Sequence, residues 1–429
     1  MSRSVAIATL GCKTNQFESA AMEERLLKAG YTLVGFEGGA DLVLVNTCTV
    51  TAATDSQSRN LIRRARRLNP NCRVVVTGCY AQVDPETLRA IPGVSLVFGN
   101  EEKRQLLELL EKPDAPVRVS QIRESARAEP LEISTFAERS RAFVQIQNGC
   151  DAFCSYCIIP YARGRSRSVA PVEVVAQTRR LVEGGYPEIV LTGIHIGGYG
   201  FDLDPAESLV GLVRTLLQET DLRRLRLGSL EPLEIPGELV EEIAENDRLC
   251  PHFHIPLQAG CDSVLERMDR HYDTVFFRNL VERIHSRMPD AAIGLDVIAG
   301  FPGETEAEFA TTLGFLEDLP ISHLHVFPYS RRPGTPAAAM ADQLPGGLIK
   351  ERAARLRAVG AVKQDRFARR FIGEVVEVVV ERGGDDGWRR GLSRNYLQVH
   401  FRGSDRRAGE TARVRITGAE GGTLKGTPA

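Results

Sequence analysis

No stretch of this 429-residue chain is apolar for anything near the length a membrane-spanning helix needs, and the opening Met1-Ser-Arg-Ser lacks the apolar core of a secretion signal. Both absences favour the cytosol, where thiols stay reduced. Net charge is only −2, so a polyanionic partner has to be met by local basic patches and not by a global field. There is no low-complexity tract, no short-period repeat, and no Ser-His-Asp or Cys-His arrangement suited to nucleophilic catalysis. What the chain does have is cysteine. It carries nine, an odd number that fits metal ligation better than a disulfide framework.

Three of them share one loop, Cys150-Asp-Ala-Phe-Cys154-Ser-Tyr-Cys157, directly after the strand-like run Phe143–Gln147. A structural zinc site takes four ligands and normally brings a second pair, and no fourth ligand follows nearby. Three thiolates on a four-iron cubane leave one iron open to a substrate or cofactor. A partial zinc site, or cysteines serving as small core residues, is the blander alternative.

Residues 1–111 alternate apolar runs with helical periodicity, which predicts a parallel α/β sheet. Val5–Leu10 ends just before Cys12, Asp41–Val45 just before Cys48, and Arg73–Val76 just before Cys79; helices are expected over Glu18–Ala29, Ser56–Leu68 and Glu101–Glu111. Each of these cysteines then lies past the C-terminal end of its strand, the edge where open α/β sheets bind ligands. A second three-thiol site far apart in sequence follows; the alternative is three unrelated small residues in turns.

Residues 112–141 form a linker by composition, beginning at the helix-breaking Lys112-Pro-Asp-Ala-Pro116. Six further strands are expected at Phe143–Gln147, Glu188–Leu191, Arg224–Leu227, Phe253–Leu257, Ala292–Ile298 and His323–Phe327, with helices between them. That count predicts a partial (β/α)6 barrel whose working rim is the C-terminal ends of its strands. On that rim fall the cysteine loop and the turns Thr192–Gly200, Gly228-Ser-Leu-Glu231 and Gly300–Thr305. Arg163, Arg165 and Arg167 are placed either to meet RNA phosphates or substrate, or simply to pair with acids. A basic helix over Lys350–Arg370 leads into residues 371–429, where alternating strands at Glu374–Glu381, Tyr396–Phe401 and Thr411–Ile416 predict a small antiparallel barrel of the oligonucleotide-binding kind. That helix, the barrel and the arginines at 59, 63, 64, 66 and 67 tilt the partner towards RNA, although a charge run is as often only a solvated face.

With Cys12, Cys48 and Cys79 ahead of Cys150, Cys154 and Cys157, and a small barrel at the end, the chain resembles the radical S-adenosylmethionine (SAM) methylthiotransferases over essentially its whole length. Ile255–Cys261, Asp296–Thr305 and Tyr329–Thr335 match as well, with Ala259 standing where many relatives have serine. The resemblance implies a methylthiotransferase N-terminal domain at 1–111, the linker at 112–141, a radical SAM core at 142–370 and a TRAM domain at 371–429. Asn46-Thr-Cys-Thr-Val-Thr51 looks most like the branch acting on N6-threonylcarbamoyladenosine beside the tRNA anticodon. The branches acting on isopentenyladenosine in tRNA, or on a ribosomal-protein aspartate, usually carry other residues after that cysteine.

Also implied are two [4Fe-4S] clusters, one on each cysteine trio, and SAM as both methyl donor and radical source. Tyr156, Gly193, Ser229 and Glu231 are the expected SAM contacts, and no catalytic side chain is expected beyond the cluster ligands. Partners would be the tRNA anticodon stem-loop, an electron-donor protein and a sulfur source, with no membrane. Cys72, Cys250 and Cys261 match no cluster position and read as structural. A competing reading of another class is a zinc-containing RNA-binding protein. Anaerobically reconstituted protein should bind about eight irons, and replacing Cys150, Cys154 and Cys157 together should leave about four; a wild type holding only four sinks the two-cluster reading.

Overall fold

A computed structural model describes residues 3–111, 115–125, 127–128, 131–136, 140–383, 387–403 and 406–429. The break expected at Lys112–Pro116 lies mostly outside them. At the N-terminal end is a six-stranded parallel sheet, in the order Thr32–Leu33, Ser4–Thr9, Leu42–Thr47, Arg73–Gly78, Val94–Phe98 and Val117–Arg118. Its register pairs Thr9 with Asn46 and Asn46 with Thr77, so the three strands that precede cysteines end level with one another. Val94–Phe98 escaped the sequence reading because it is short and lies between turns, yet four of its five residues are buried.

The helix Lys13–Lys28 begins earlier than its apolar pattern suggested, with Cys12 as N-cap. Met22 and Leu26 pack into the core of the N-terminal sheet, whereas Phe17 and Ala21 belong to the core of the following unit, beside Phe136 and Phe143. One helix thus carries apolar residues into both cores. The described part of the linker joins them too, because Leu131, Ile133 and Phe136 are buried in that second core.

The six middle strands fall into two parallel three-stranded sheets, Arg224–Leu227, Glu188–Thr192, Ala142–Gln145 and His252–Gln258, Ala292–Ala299, His323–Pro328. Parallel bridges Leu225–Leu249 and Ser229–His254 connect them into one arc, the expected half-closed (β/α)6 barrel. Outward side chains such as Leu225, Ile255, Leu295 and Val297 are wholly or almost wholly buried under the helices.

The C-terminal unit is a closed barrel of five strands, Val375–Glu381, Trp388–Ser393, Gln398–Arg402, Thr411–Glu420 and Thr423–Pro428. Two of these were missed in sequence. The barrel is also not wholly antiparallel, since Gln398–Arg402 and Thr423–Pro428 close it as a parallel pair. Its turn at Ser393–Leu397 docks on the N-terminal ends of the half-barrel strands: Arg226 donates to the Arg394 carbonyl at 2.9 Å, Asn395 to the Asp290 carbonyl at 3.2 Å, and the Tyr396 and His252 rings lie 4.4 Å apart.

The basic helix, observed as Gly346–Arg369, has most of its cations engaged inside the molecule. Arg352 pairs with Glu304 at 2.8 Å, Arg355 with Glu306 at 2.9 Å, Arg369 with Asp365 at 2.5 Å, and Lys363 donates to the Glu317 and Leu319 carbonyls. The surface favouring RNA is therefore smaller than the count of arginines suggests.

Under the C-terminal barrel, Glu188 is fully buried and accepts from Arg226 at 2.7 and 3.1 Å, with Arg224 3.7 Å and Arg141 3.6 Å away. Removing one side of a buried pair leaves an uncompensated charge. Glu188→Ala should lower stability by about 3–5 kcal/mol in denaturant unfolding, whereas an exposed-pair variant such as Glu238→Ala should cost no more than about 1 kcal/mol.

Candidate metal centres and the cavity between them

The loop carrying Cys150, Cys154 and Cys157 is shaped by backbone constraints its sequence anticipates. Gly149 has φ +80°, and a Cβ there would lie 1.7 Å from the Arg165 carbonyl oxygen, so no other residue fits. Phe153 takes φ +46°, rare for a bulky residue, and its ring meets Tyr161 edge-on at 6.0 Å with the Arg123 guanidinium over both. Ser155 anchors the loop to the rest of the barrel, donating from its amide to the Met268 carbonyl at 3.0 Å and from its hydroxyl to the Arg267 carbonyl at 2.8 Å. Gln147 then ties it to the second rim loop by accepting from the Ile194 and His195 amides at 3.1 and 2.8 Å.

Two cations attend these thiols. Arg270 donates to the Cys154 sulfur at 3.3 Å and pairs with Glu231. His195 places Nδ1 3.6 Å from the Cys150 sulfur and Nε2 2.8 Å from Glu234. Burial alone would lower the His195 pKa, but its hydrogen bonds to Cys150 and Glu234 push it up to about 11. Burial pushes the Cys157 thiol up to about 12, with Cys154 adding to the effect. The sulfurs thus sit where an ionised thiolate needs a cation or a metal to be tolerated.

The N-terminal trio converges as its strand ends predict. Gly11 brings the chain so close that a Cβ would lie 2.7 Å from the Cys48 Cβ and 2.9 Å from its sulfur. Gly78, with φ +98°, fits against the Thr47 carbonyl, which a Cβ would approach to 2.3 Å. Asn15 locks two of the three turns together, donating to the Leu10 carbonyl at 2.7 Å and the Thr47 carbonyl at 3.0 Å. Burial pushes the Cys48 thiol up to about 12, with Cys79 and then Cys12 acting in the same direction.

Here too a cation touches one sulfur, and it comes from the other unit. Arg163 is wholly buried, donates from Nε to the Cys79 sulfur at 3.2 Å, and makes its remaining bonds to Glu18 and Asn15. Lys103 completes the group by pairing with Glu18 and donating to Asn100 at 2.8 Å. Of the three arginines that sequence left between RNA and ion pairing, Arg163 and Arg167 are buried pairing residues, the latter 3.3 Å from Glu101; Arg165 remains exposed, 3.6 Å from Asp151.

Among the described residues, neither trio has its three sulfurs all within 4.8 Å of one another. Ligands of a single tetrahedral zinc stand about 3.8 Å apart, so the thiols are spread too widely for one ion.

Between the two trios lies a cavity of about 170 Å³. Val50 and Thr51, just after Cys48, form one wall; Tyr156, Cys157, Ile158 and Ile159 form the facing one, and Asp296, Ile298 and Phe327 contribute from the barrel strands. The docking is specific, since Arg332 pairs with Asp55 at 2.7 Å and the Ala52 amide donates to Ser330 at 2.9 Å.

Residues 4–99 match the family described as uncharacterized protein family UPF0004, and residues 144–316 match the radical SAM superfamily. The threonylcarbamoyladenosine tRNA methylthiotransferase MtaB of Bacillus subtilis is 41% identical, over 96% of this chain and 93% of its own length. The chain belongs to the radical SAM methylthiotransferase family. MtaB of Aquifex aeolicus is 38% identical over 96% of this chain and all of its own, and a tRNA-2-methylthio-N(6)-dimethylallyladenosine synthase of Clostridium perfringens is 32% identical over 98% and 96%. In fold, the methylthiotransferase is similar to the radical SAM methyltransferase TsrM of Kitasatospora setae, with TM-score 0.56 at 18% identity over 79% of this chain and 77% of that one.

Of the residues expected at SAM, Tyr156 lines the cavity, Ser229 is exposed at the rim, and Glu231 is paired with Arg270. Gly193 is packed, because a Cβ there would come within 2.8 Å of the Gln147 carbonyl. Arg270, His195 and Glu234 lie in no motif that sequence reading could single out; only His195, between glycines of a rim loop, offered a signal.

The buried carboxylate of Glu18 gives this junction a pH signature. Burial opposes ionisation, yet Arg163 and Lys103 hold its pKa down from 4.5 to about 2. A depressed carboxylate contributes stability that is full above its unfolded pKa and lost as pH falls through the folded one. Stability of the methylthiotransferase should therefore decline between about pH 4.5 and 2 partly through Glu18, and Arg163→Ala should cost about 3–5 kcal/mol at neutral pH while flattening that acid limb, as read by urea midpoints across pH.

Proposed function

We propose that this enzyme attaches a methylthio group to C2 of N6-threonylcarbamoyladenosine next to the anticodon of tRNA. The observation that carries the reading is near-full-length identity of 41% and 38% to proteins bearing that name, against 32% to a dimethylallyladenosine synthase. The cavity supports it. Thr51, from the stretch in which the branches differ, faces the same space as Tyr156 and Cys157.

On this reading Cys150, Cys154 and Cys157 hold one four-iron cluster, and Cys12, Cys48 and Cys79 hold a second. The fit rests on the donor sets: three thiols each, spread too widely for one zinc, with a guanidinium on one sulfur of each trio. Bound there, the clusters and SAM supply the one-electron and methyl-transfer chemistry that an unactivated aromatic C–H requires. The chain's own residues position and neutralise. Arg270 and His195 offset charge at the first trio and Arg163 at the second. Glu231, paired with Arg270, offers oxygens to ribose hydroxyls, with Ser229 on the same rim and Tyr156 on the cavity wall.

The domain plan that goes with this function is 1–111, 142–370 and 371–429, with a linker between the first two. An electron-donor protein and a sulfur source complete the reaction, and a tRNA substrate sets it in the cytoplasm. Phosphate contacts fall to cations the fold leaves exposed, such as Arg63 and Arg67 on the helix Ala52–Leu68, which begins at the cavity wall.

Nucleoside mass spectrometry of tRNA from cells lacking the gene tests the assignment. The methylthio-threonylcarbamoyl nucleoside should vanish and its unmodified precursor accumulate, with rescue by the wild-type chain but not by Cys79→Ala. Loss of the methylthio-isopentenyl nucleoside instead would move the enzyme to the other tRNA branch.

A further inference from the structure

The lumen of the half-barrel holds a second set of metal-ligating side chains that contains no cysteine. In the sheet His252–Gln258, Ala292–Ala299, His323–Pro328, Asp296 and His325 are direct register partners, and His254 stands diagonally across from Asp296, opposite Gly294. All three side chains project to the lumen. His254 Nε2 lies 2.8 Å from Asp296 Oδ1, and His325 Nδ1 lies 3.4 Å from that same oxygen. The three ligand atoms are all within 4.8 Å of one another, and they are the one such set among the described residues.

These separations are those of ligands sharing one ion. With metal–ligand bonds of about 2.1 Å, neighbouring ligand atoms stand about 3.0 Å apart in octahedral and about 3.4 Å apart in tetrahedral geometry. Two imidazoles and one carboxylate, delivered by three adjacent strands, form the two-His, one-carboxylate face that leaves further positions open. The open side is defined, because Asp296 lines the cavity and the His325 side chain is 47% exposed. The neighbouring pair His252 and His323 offers no equivalent, since those rings stack 6.5 Å apart with no carboxylate between them.

We propose that His254, Asp296 and His325 bind one divalent first-row transition cation at the floor of the cavity, with its remaining positions turned to that space. The donors are imidazole nitrogen and carboxylate oxygen, suited to zinc, manganese or ferrous iron, and chemically apart from the thiolate sites above. An oxygen-bearing group entering the cavity, a carboxylate or a hydroxyl, completes its shell. The site depends neither on the cluster assignment nor on the identity of the nucleoside.

Titration of anaerobically reconstituted holoenzyme with Mn(II), followed by loss of the free-ion electron paramagnetic resonance signal, tests it, because thiolates compete poorly for manganese. The expected result is one saturable site per chain, displaced by zinc. Asp296→Asn, His254→Ala and His325→Ala should each weaken it at least tenfold while iron and sulfide content stay at the wild-type level. A variant with Cys150, Cys154 and Cys157 all replaced by alanine should still bind the ion. Absence of saturable binding up to millimolar Mn(II), or binding undiminished in the Asp296→Asn/His325→Ala double variant, overturns the site.

Discussion

A guanidinium with no access to water sits where the N-terminal sheet meets the half-barrel. Arg163 closes the short helix that follows the Cys150–Cys157 loop, so the segment that sets Cys157 also sets Arg163. Across the junction it grips Glu18 on the helix capped by Cys12, and its Nε touches the sulfur of Cys79. Such a pair adds little net stability over apolar packing, because desolvating two charges costs about what their attraction returns. Its effect is to make the arrangement intolerant of alternatives, since any shift of one unit against the other that keeps the junction dry would leave the buried Arg163 without its partners Glu18 and Asn15. The distance between the two trios, and with it the cavity between them, follows from that constraint.

How much of this was legible in sequence depends on the range of the interaction concerned. Cys12, Cys48 and Cys79 could be brought together from their positions after apolar runs because a parallel sheet aligns strand ends, and the register of Thr9, Asn46 and Thr77 does so here. The half-barrel was legible for the same reason. The strands Trp388–Ser393 and Thr423–Pro428 were not, because in a barrel this small the core takes few residues from each, and the two arginines and the glycine of Trp-Arg-Arg-Gly-Leu-Ser mask the alternation. Arg270 and Glu234 were out of reach too: their partners are distant in sequence and no local pattern marks them.

The same limit governs charge. In sequence the arginines of 350–370 formed one basic face, but the acids that neutralise Arg352, Arg355 and Arg370 come from residues 290–306. A charge run predicts a binding surface only when no distant acids return to it, which is a tertiary fact. Arg59 and Arg66 of the other basic helix are likewise partly engaged, with Tyr80 and the Cys72 carbonyl.

The lumen illustrates a different economy. A barrel interior is ordinarily filled by branched apolar side chains, yet here two strands carry His-x-His, His252/His254 and His323/His325, on the inward face, and a third places Asp296 between them. Strand period two makes that pattern readable in sequence, but only once the inward face is known. The fold tolerates it because the apolar burial is on the other face: Phe253, Ile255, Ile293 and Leu295 all point outward under the helices and are almost fully buried. Below, Tyr396 of the C-terminal barrel packs against the His252 ring and lies under the Arg226 guanidinium at 5.1 Å, closing the strand ends opposite the rim. With its stability supplied from outside and its lower end stoppered by another unit, the inner face of the half-barrel is free to be polar, and through Asp296 that polarity reaches the cavity lined by Cys157 on one side and by Val50 and Thr51, just after Cys48, on another.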